Sequence, residues 1–161
     1  MIRDDEQVDP SEFVGRRPAS TPRRRASDVL VRGGGEDPRV LIVEPDLFFA
    51  EFVGAILRDA RPGFVVREVP SLSRALDHLF EAKGAEMIIT NLDVAEDTGP
   101  MVPARLRHAA PEAAIIVLSA TTDPDVAGEC LRRGADVVLS KKRLTVDSFL
   151  AAIRDYVDRP L

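Results

Sequence analysis

From Arg39 onward, compact aliphatic runs alternate with stretches whose apolar residues recur every three or four positions. Val40 to Val43 is the first run. Glu44-Pro45-Asp46 ends it, and Phe48, Phe49, Phe52, Val53, Ile56 and Leu57 then follow at helical spacing. Pro62-Gly63 marks a turn, Phe64 to Val69 reads as a strand, and Ser71 caps a helix that carries Leu72, Ala75, Leu76, Leu79 and Phe80 inward until Gly84. Met87, Ile88 and Ile89 are too few for a free helix and β-branched enough for a strand buried on both faces, so Asn91 falls at its carboxyl end. Gly99-Pro100 opens a helix with Val102, Leu106 and Ala109 inward, and Pro111 breaks it. Ala113 to Leu118 is a fourth strand, and Ser119 to Thr122 a polar loop. Asp123-Pro124 starts a helix that buries Val126, Ala127, Cys130 and Leu131 and stops at Gly134. Val137 to Leu139 is the fifth strand, and Thr145 caps a last helix using Val146, Phe149, Leu150, Ile153 and Val157.

Five strand-helix units predict an α/β fold: a doubly wound, five-stranded parallel sheet with helices on both faces, because right-handed crossovers cover one side or the other. In the flavodoxin-like order 2-1-3-4-5, the first and third strands are neighbours at the switch point. Glu44, Asp46 and Asn91 should therefore meet in one crevice at the carboxyl edge, with Ser119 and Lys141 arriving beside them.

Residues 1–38 differ from the rest. Prolines at 10, 18, 22 and 38, the run Gly33-Gly34-Gly35 and scattered charge predict a disordered N-terminal tail ahead of a domain at 39–161. Within it, Arg23-Arg24-Arg25-Ala26-Ser27 has the charge pattern of a basophilic Ser/Thr kinase site at Ser27, although a solvated basic patch explains it as well. Ser27 to Val31 is a further candidate for docking on a partner as a strand or short helix.

Composition narrows the classes. The net charge is −5, with 22 Lys and Arg against 27 Asp and Glu, which argues against a general nucleic-acid binder. Cys130 is the single cysteine, so an internal disulfide is excluded. The charged start offers no signal-peptide core, and no apolar run reaches the length of a membrane span; a cytoplasmic protein is expected. No glycine-rich phosphate loop follows the first strand, where Glu-Pro-Asp-Leu-Phe-Phe stands instead.

Several of these segments together resemble response regulator receiver (CheY-like) domains. They are Val40-Leu41-Ile42-Val43-Glu44, Ile88-Ile89-Thr90-Asn91-Leu92 with Gly99, Ile116-Val117-Leu118-Ser119-Ala120, and Gly134-Ala135-Asp136 through Leu139-Ser140-Lys141. The resemblance covers about Arg39 to Val157. It implies that the residue ending the third strand is the phospho-accepting aspartate, that acids ending the first strand hold Mg²⁺ with it, and that Ser119 and Lys141 are the switch hydroxyl and the lysine. This sequence departs from that pattern. Asn91 stands at the phosphoacceptor position, and a carboxamide lacks the charge and the nucleophilic oxygen for acyl-phosphate formation. Pro45 replaces the second acid, with Asp46 displaced by one residue, so Mg²⁺ binding is expected to be weak or absent. Val138 stands where the switch aromatic would be, and Ala95 replaces a proline.

The residues have plainer readings too. Lys141 without phosphate can bridge Glu44 or Asn91, Ser119 can satisfy a strand end, and Asp46 can cap the first helix. His78 and His108 have no ligand-spaced partners. The expectation is a stand-alone, atypical (pseudo-receiver) member of a two-component phosphorelay, not an enzyme, that binds proteins without phosphorylation. Its partners would be signalling proteins, a histidine kinase or a downstream effector, or a second copy in a homodimer. They would meet the face of the fourth helix, fifth strand and fifth helix, including Val126, Arg132, Arg133 and Arg143; no nucleic acid and no membrane are expected. The alternatives are a phosphate-accepting receiver using Asp93 with Mg²⁺, and a scaffold switched at Ser27.

Overall fold

The structure, a computed structural model, describes residues 13–16, 38–94, 97–121 and 123–157. In chain order the elements are β1 (Phe13–Arg16), β2 (Arg39–Val43), α1 (Leu47–Ala60), β3 (Val65–Val69), α2 (Leu72–Glu81) and β4 (Met87–Thr90). A two-stranded hairpin follows, β5 (Asp93–Val94) and β6 (Asp97–Thr98), then α3 (Met101–Ala109), β7 (Ala114–Ser119), α4 (Pro124–Arg133), β8 (Val137–Ser140), a 3₁₀ turn (Lys141–Arg143) and α5 (Val146–Val157).

The five predicted strands are β2, β3, β4, β7 and β8, all parallel and in the spatial order β3-β2-β4-β7-β8. That is the doubly wound order read from the sequence. The side chains alternate between two cores as a parallel strand requires. Val40, Ile42, Ile89, Ile116 and Leu139 face α1 and α5, meeting Val53, Leu57, Phe149 and Ile153. Leu41, Val43, Ile88, Ile115, Val117 and Val138 face α2, α3 and α4, meeting Leu72, Ala75, Leu106, Ala127 and Cys130. Burial pushes the Cys130 thiol up to about 11, so it stays protonated at neutral pH.

Capping follows local chemistry. Ser71 accepts from the Arg74 N–H and Asp123 from the Asp125 N–H, with Pro124 at the first helical position. Thr145 and Ser148 cap α5 reciprocally: each side-chain oxygen accepts from the other's backbone N–H. Gly134 ends α4 at φ 127°, where a Cβ would also lie 2.8 Å from Arg107 Cβ.

Two expectations are corrected. Phe13–Arg16, read as part of a disordered tail, form a sixth strand antiparallel to β8. The apolar island Phe13-Val14 is too short to signal a strand by its own pattern, and its partner lies more than a hundred residues away. The basic run, Ser27 and the 27–31 segment lie outside the described residues. Phe80 was expected inward, yet it is 87 % exposed, and of the apolar residues at helical spacing in α1, Phe48 (86 % exposed) and Phe52 also face solvent. In α1 the inward stripe is Phe49, Val53, Ile56 and Leu57, which leaves Phe48 and Phe52 one step off it. Ala109 and Val146 likewise face outward.

Candidate functional site

The carboxyl ends of β2 and β4 are adjacent because β2 pairs with β4 from Val40↔Met87 to Val43↔Thr90. The bonds continue one residue further: the Glu44 N–H donates to Val69 O at 3.0 Å and the Asn91 N–H to Val43 O at 3.0 Å. Glu44 and Asn91 thus project at the same edge, on the α1 side of the sheet. They line a narrow crevice together with Phe49, Val53, Ile89, Thr90 and Leu118.

Glu44 is the electrostatic centre. It is 4 % exposed, one carboxylate oxygen accepts from the Asp46 N–H at 3.0 Å, and the other meets Lys141 Nζ at 2.7 Å. Lys141 enters from the 3₁₀ turn after β8 and lies 4.2 Å from the centroid of the Phe49 ring. A cation over an aromatic face is attracted by the ring quadrupole, so Phe49 and Glu44 hold the ammonium from two sides. Of the two partners open to Lys141 in the sequence, Glu44 is the one it contacts.

The neighbouring groups are committed locally. Asp46 is the N-cap of α1, one oxygen accepting from Phe48 and Phe49 N–H at 3.0 and 3.1 Å. Pro45 is exposed between the two acids. Asn91 turns its side-chain oxygen onto its own loop, accepting from the Leu92 N–H at 2.8 Å and the Asp93 N–H at 3.4 Å. Thr90 Oγ1 donates to Asn91 O at 2.8 Å, fixing the strand end.

Ser119 and Ser140 are paired in register at the ends of β7 and β8. Both hydroxyls are buried. Ser119 Oγ accepts from the Thr121 N–H at 3.1 Å, whereas Ser140 Oγ has no partner among the described residues. The two hydroxyls share the strand parity of Val117 and Val138 and so belong to the face opposite α1. Val138 is 1 % exposed within that core. Asp93 is exposed on β5, in the hairpin where it pairs with Thr98. Ala95 and Ser27 lie outside the described residues.

A family model for the response regulator receiver domain matches residues 40–154. The chain belongs to the response regulator receiver family. It is therefore a receiver domain of two-component signalling. A Burkholderia pseudomallei response regulator, solved with a phosphorylated aspartic acid, calcium ion and citrate, is 31 % identical, with a TM-score of 0.59. The match covers 72 % of this chain and 66 % of that one. The signal receiver domain of NarL from Mycobacterium tuberculosis is 23 % identical at a TM-score of 0.63, covering 74 % of this receiver and 95 % of that domain. The signal receiver domain of an HD domain-containing protein from Pseudomonas fluorescens is 18 % identical at 0.67, covering 78 % and 90 %. No curated protein matches the sequence.

The family places a divalent cation at this end of the sheet, and the donors present are a poor match for one. Magnesium takes near-octahedral oxygen geometry. Here both Glu44 oxygens are engaged, Asp46 caps a helix, Pro45 has no side-chain donor, and the Asn91 oxygen is folded onto its own backbone. Among the described residues, no three His, Cys, Asp or Glu side chains cluster in a way that would hold a metal ion. His108 is exposed and His78 half-buried, on separate helices. Among the described residues, no helix is long and apolar enough to cross a membrane.

Sequence reasoning missed Phe49 as a site residue, having assigned it to the core. The signal was available in its place three residues beyond Asp46: the cap that starts α1 there also fixes the ring's position above the lysine.

Proposed function

We propose that this receiver is an atypical member of its family, a non-enzymatic protein-binding module whose working state does not depend on aspartyl phosphate. The observation that carries this reading is the closed triad of Glu44, Lys141 and Phe49. Lys141, at the position the family uses to meet a phosphoryl oxygen, is here paired with Glu44 at 2.7 Å and covered by the Phe49 ring. Asn91 adds to this, because a neutral amide offers no attacking oxygen and its own oxygen is tied to the loop. Magnesium has no role in this reading, and the protein acts in the cytoplasm.

Partners would be a histidine kinase or a downstream effector, received on the face of α4, β8 and α5. Arg132 and Arg133 there are anchored by Glu129, at 2.7 and 2.6 Å, and Arg143 is exposed. Both arginines, Arg133 first, hold the Glu129 carboxyl below its usual range. A fixed pair of guanidinium groups gives such a face geometric definition.

The test is incubation of the full chain with Mg²⁺ and a small-molecule phosphodonor, read by intact mass and base lability. No phosphoryl adduct is expected, and none with Asn91→Asp alone, because Pro45 and the occupied Lys141 remain. A base-labile phosphoryl group on the unmodified chain, mapped to Asp93, would establish the phosphate-accepting alternative instead.

A further inference from the structure

The two edges of the sheet are treated differently. At one edge stands β3, which no strand covers among the described residues and which carries Arg67 and Glu68. Charges on an edge strand discourage pairing with another chain. At the other edge, β8 reads Val137-Val138-Leu139-Ser140, with no charged residue and no proline, and pairs with β7 in unbroken register. It carries none of the usual safeguards in its own sequence. Its outer side is covered instead by β1, which runs antiparallel with Phe13 opposite Leu139, Gly15 opposite Val138 and Arg16 opposite Val137, and which also touches α4. β1 lies outside residues 40–154, so it is an addition to the part of the chain that matches the family.

Without β1, the sheet would end in an apolar strand with a row of unpaired N–H and C=O groups, a template for association. The direction of β1 shows which strand that row accepts. A two-fold axis normal to the sheet turns β8 into an antiparallel neighbour of itself. With the axis at Val138, Val137 of one copy falls opposite Leu139 of the other, and their side chains share a face because the two positions have the same parity. The β8 edge is therefore self-complementary, and a second copy of this chain is the occupant that its backbone fits.

We propose that β1 is a self-blocking strap, an intramolecular strand that holds the β8 edge closed and keeps this chain from joining a second copy edge to edge. The exposed helix side chains of the same face, Arg132 and Arg133 among them, stay open to other partners. This inference is independent of the phosphorylation reading, because it uses the backbone of β8 and not the crevice.

The experiment uses the full chain and its Phe13→Pro/Gly15→Pro variant, in which two prolines remove main-chain donors from β1 and resist strand pairing. Mass in solution is followed by sedimentation, and hydrogen exchange is followed at the β8 amides. In the unmodified chain, exchange at β8 should not change on dilution. The variant should dimerise. Because the free fraction of a dimer varies as the inverse square root of concentration, dilution by about a hundredfold should raise its β8 exchange roughly tenfold. A peptide of the sequence of residues 9–18 should return the variant to monomer, which a misfolded chain would not allow. If the double variant loses protection in β2 and β4 as well, Gly15→Pro alone is read in the same way. A variant that stays monomeric would overturn the proposal, and so would a dimer that the peptide leaves intact or an unmodified chain whose β8 exchange rises on dilution.

Discussion

Arg107 at the amino end of the strands and Lys141 at the carboxyl end each neutralise a largely buried carboxylate, but their surroundings differ. Arg107, in the last turn of α3, meets Asp136 at 2.8 Å and also donates to the carbonyls of Gly134 at 2.8 Å, Ala113 at 2.6 Å and Pro111 at 3.0 Å. Asp136 in turn accepts from the Ile115 N–H at 2.9 Å. A planar fork with five donors is engaged by two segments of backbone and one carboxylate, and the result is a clamp joining α3, the turn into β7 and the α4–β8 turn. Lys141 has one carboxylate and one aromatic face. The first arrangement spends its charge on architecture. The second leaves a compact charge at the edge where the fold exposes its variable chemistry, held by two groups that a substitution can release one at a time.

Breaking the clamp should have the largest effect. Arg107→Ala removes the ion pair to Asp136 and the guanidinium's bonds to several carbonyls, and a loss of about 3–5 kcal/mol is expected in denaturant unfolding. Lys141→Met should cost less, about 2–3 kcal/mol, because the Asp46 N–H still serves Glu44 and the lysine head sits nearer solvent. The paired change Glu44→Gln with Lys141→Met should recover most of that loss. If the double variant is as unstable as the single, the crevice pair is architectural like its counterpart and the contrast fails. The smallest effect belongs to Asp46→Ala, about 1 kcal/mol for a lost helix cap. It sharpens the comparison, since fraying the start of α1 should loosen Phe49 from Lys141. An aromatic-ring shift on the lysine side-chain protons, measured by NMR, should weaken in that variant.

The sequence made the sheet legible because its buried strands are uninterrupted aliphatic runs and its helices start at Ser71, Asp123 and Thr145, residues whose side chains cap by local chemistry. Strand order followed from connection rules. Convergence of Glu44, Asn91 and Lys141 at one edge was readable for the same reason, since it depends only on which residue ends each strand. What pattern could not convey were contacts set by tertiary geometry. The orientation of the Asn91 amide is decided by two loop N–H groups, the Phe49 ring serves the core and the lysine at once, and β1 pairs with a strand more than a hundred residues away. The Arg107 clamp escaped notice because its acceptors are mostly carbonyls, which carry no residue identity. Phe80 was misplaced because a three-or-four spacing admits flanking positions that the true stripe leaves in solvent.

Gly134 packs directly on the base of the Arg107 side chain. A side chain at 134 would combine an unfavourable left-handed backbone with an atom 2.8 Å from the arginine's own Cβ. Replacing the arginine would not relieve this collision, because the nearest atom is the Cβ that every residue but glycine carries at 107. The turn between α4 and β8 is thus closed to side chains on two independent counts, backbone dihedral and room, and a change at 107 lifts neither.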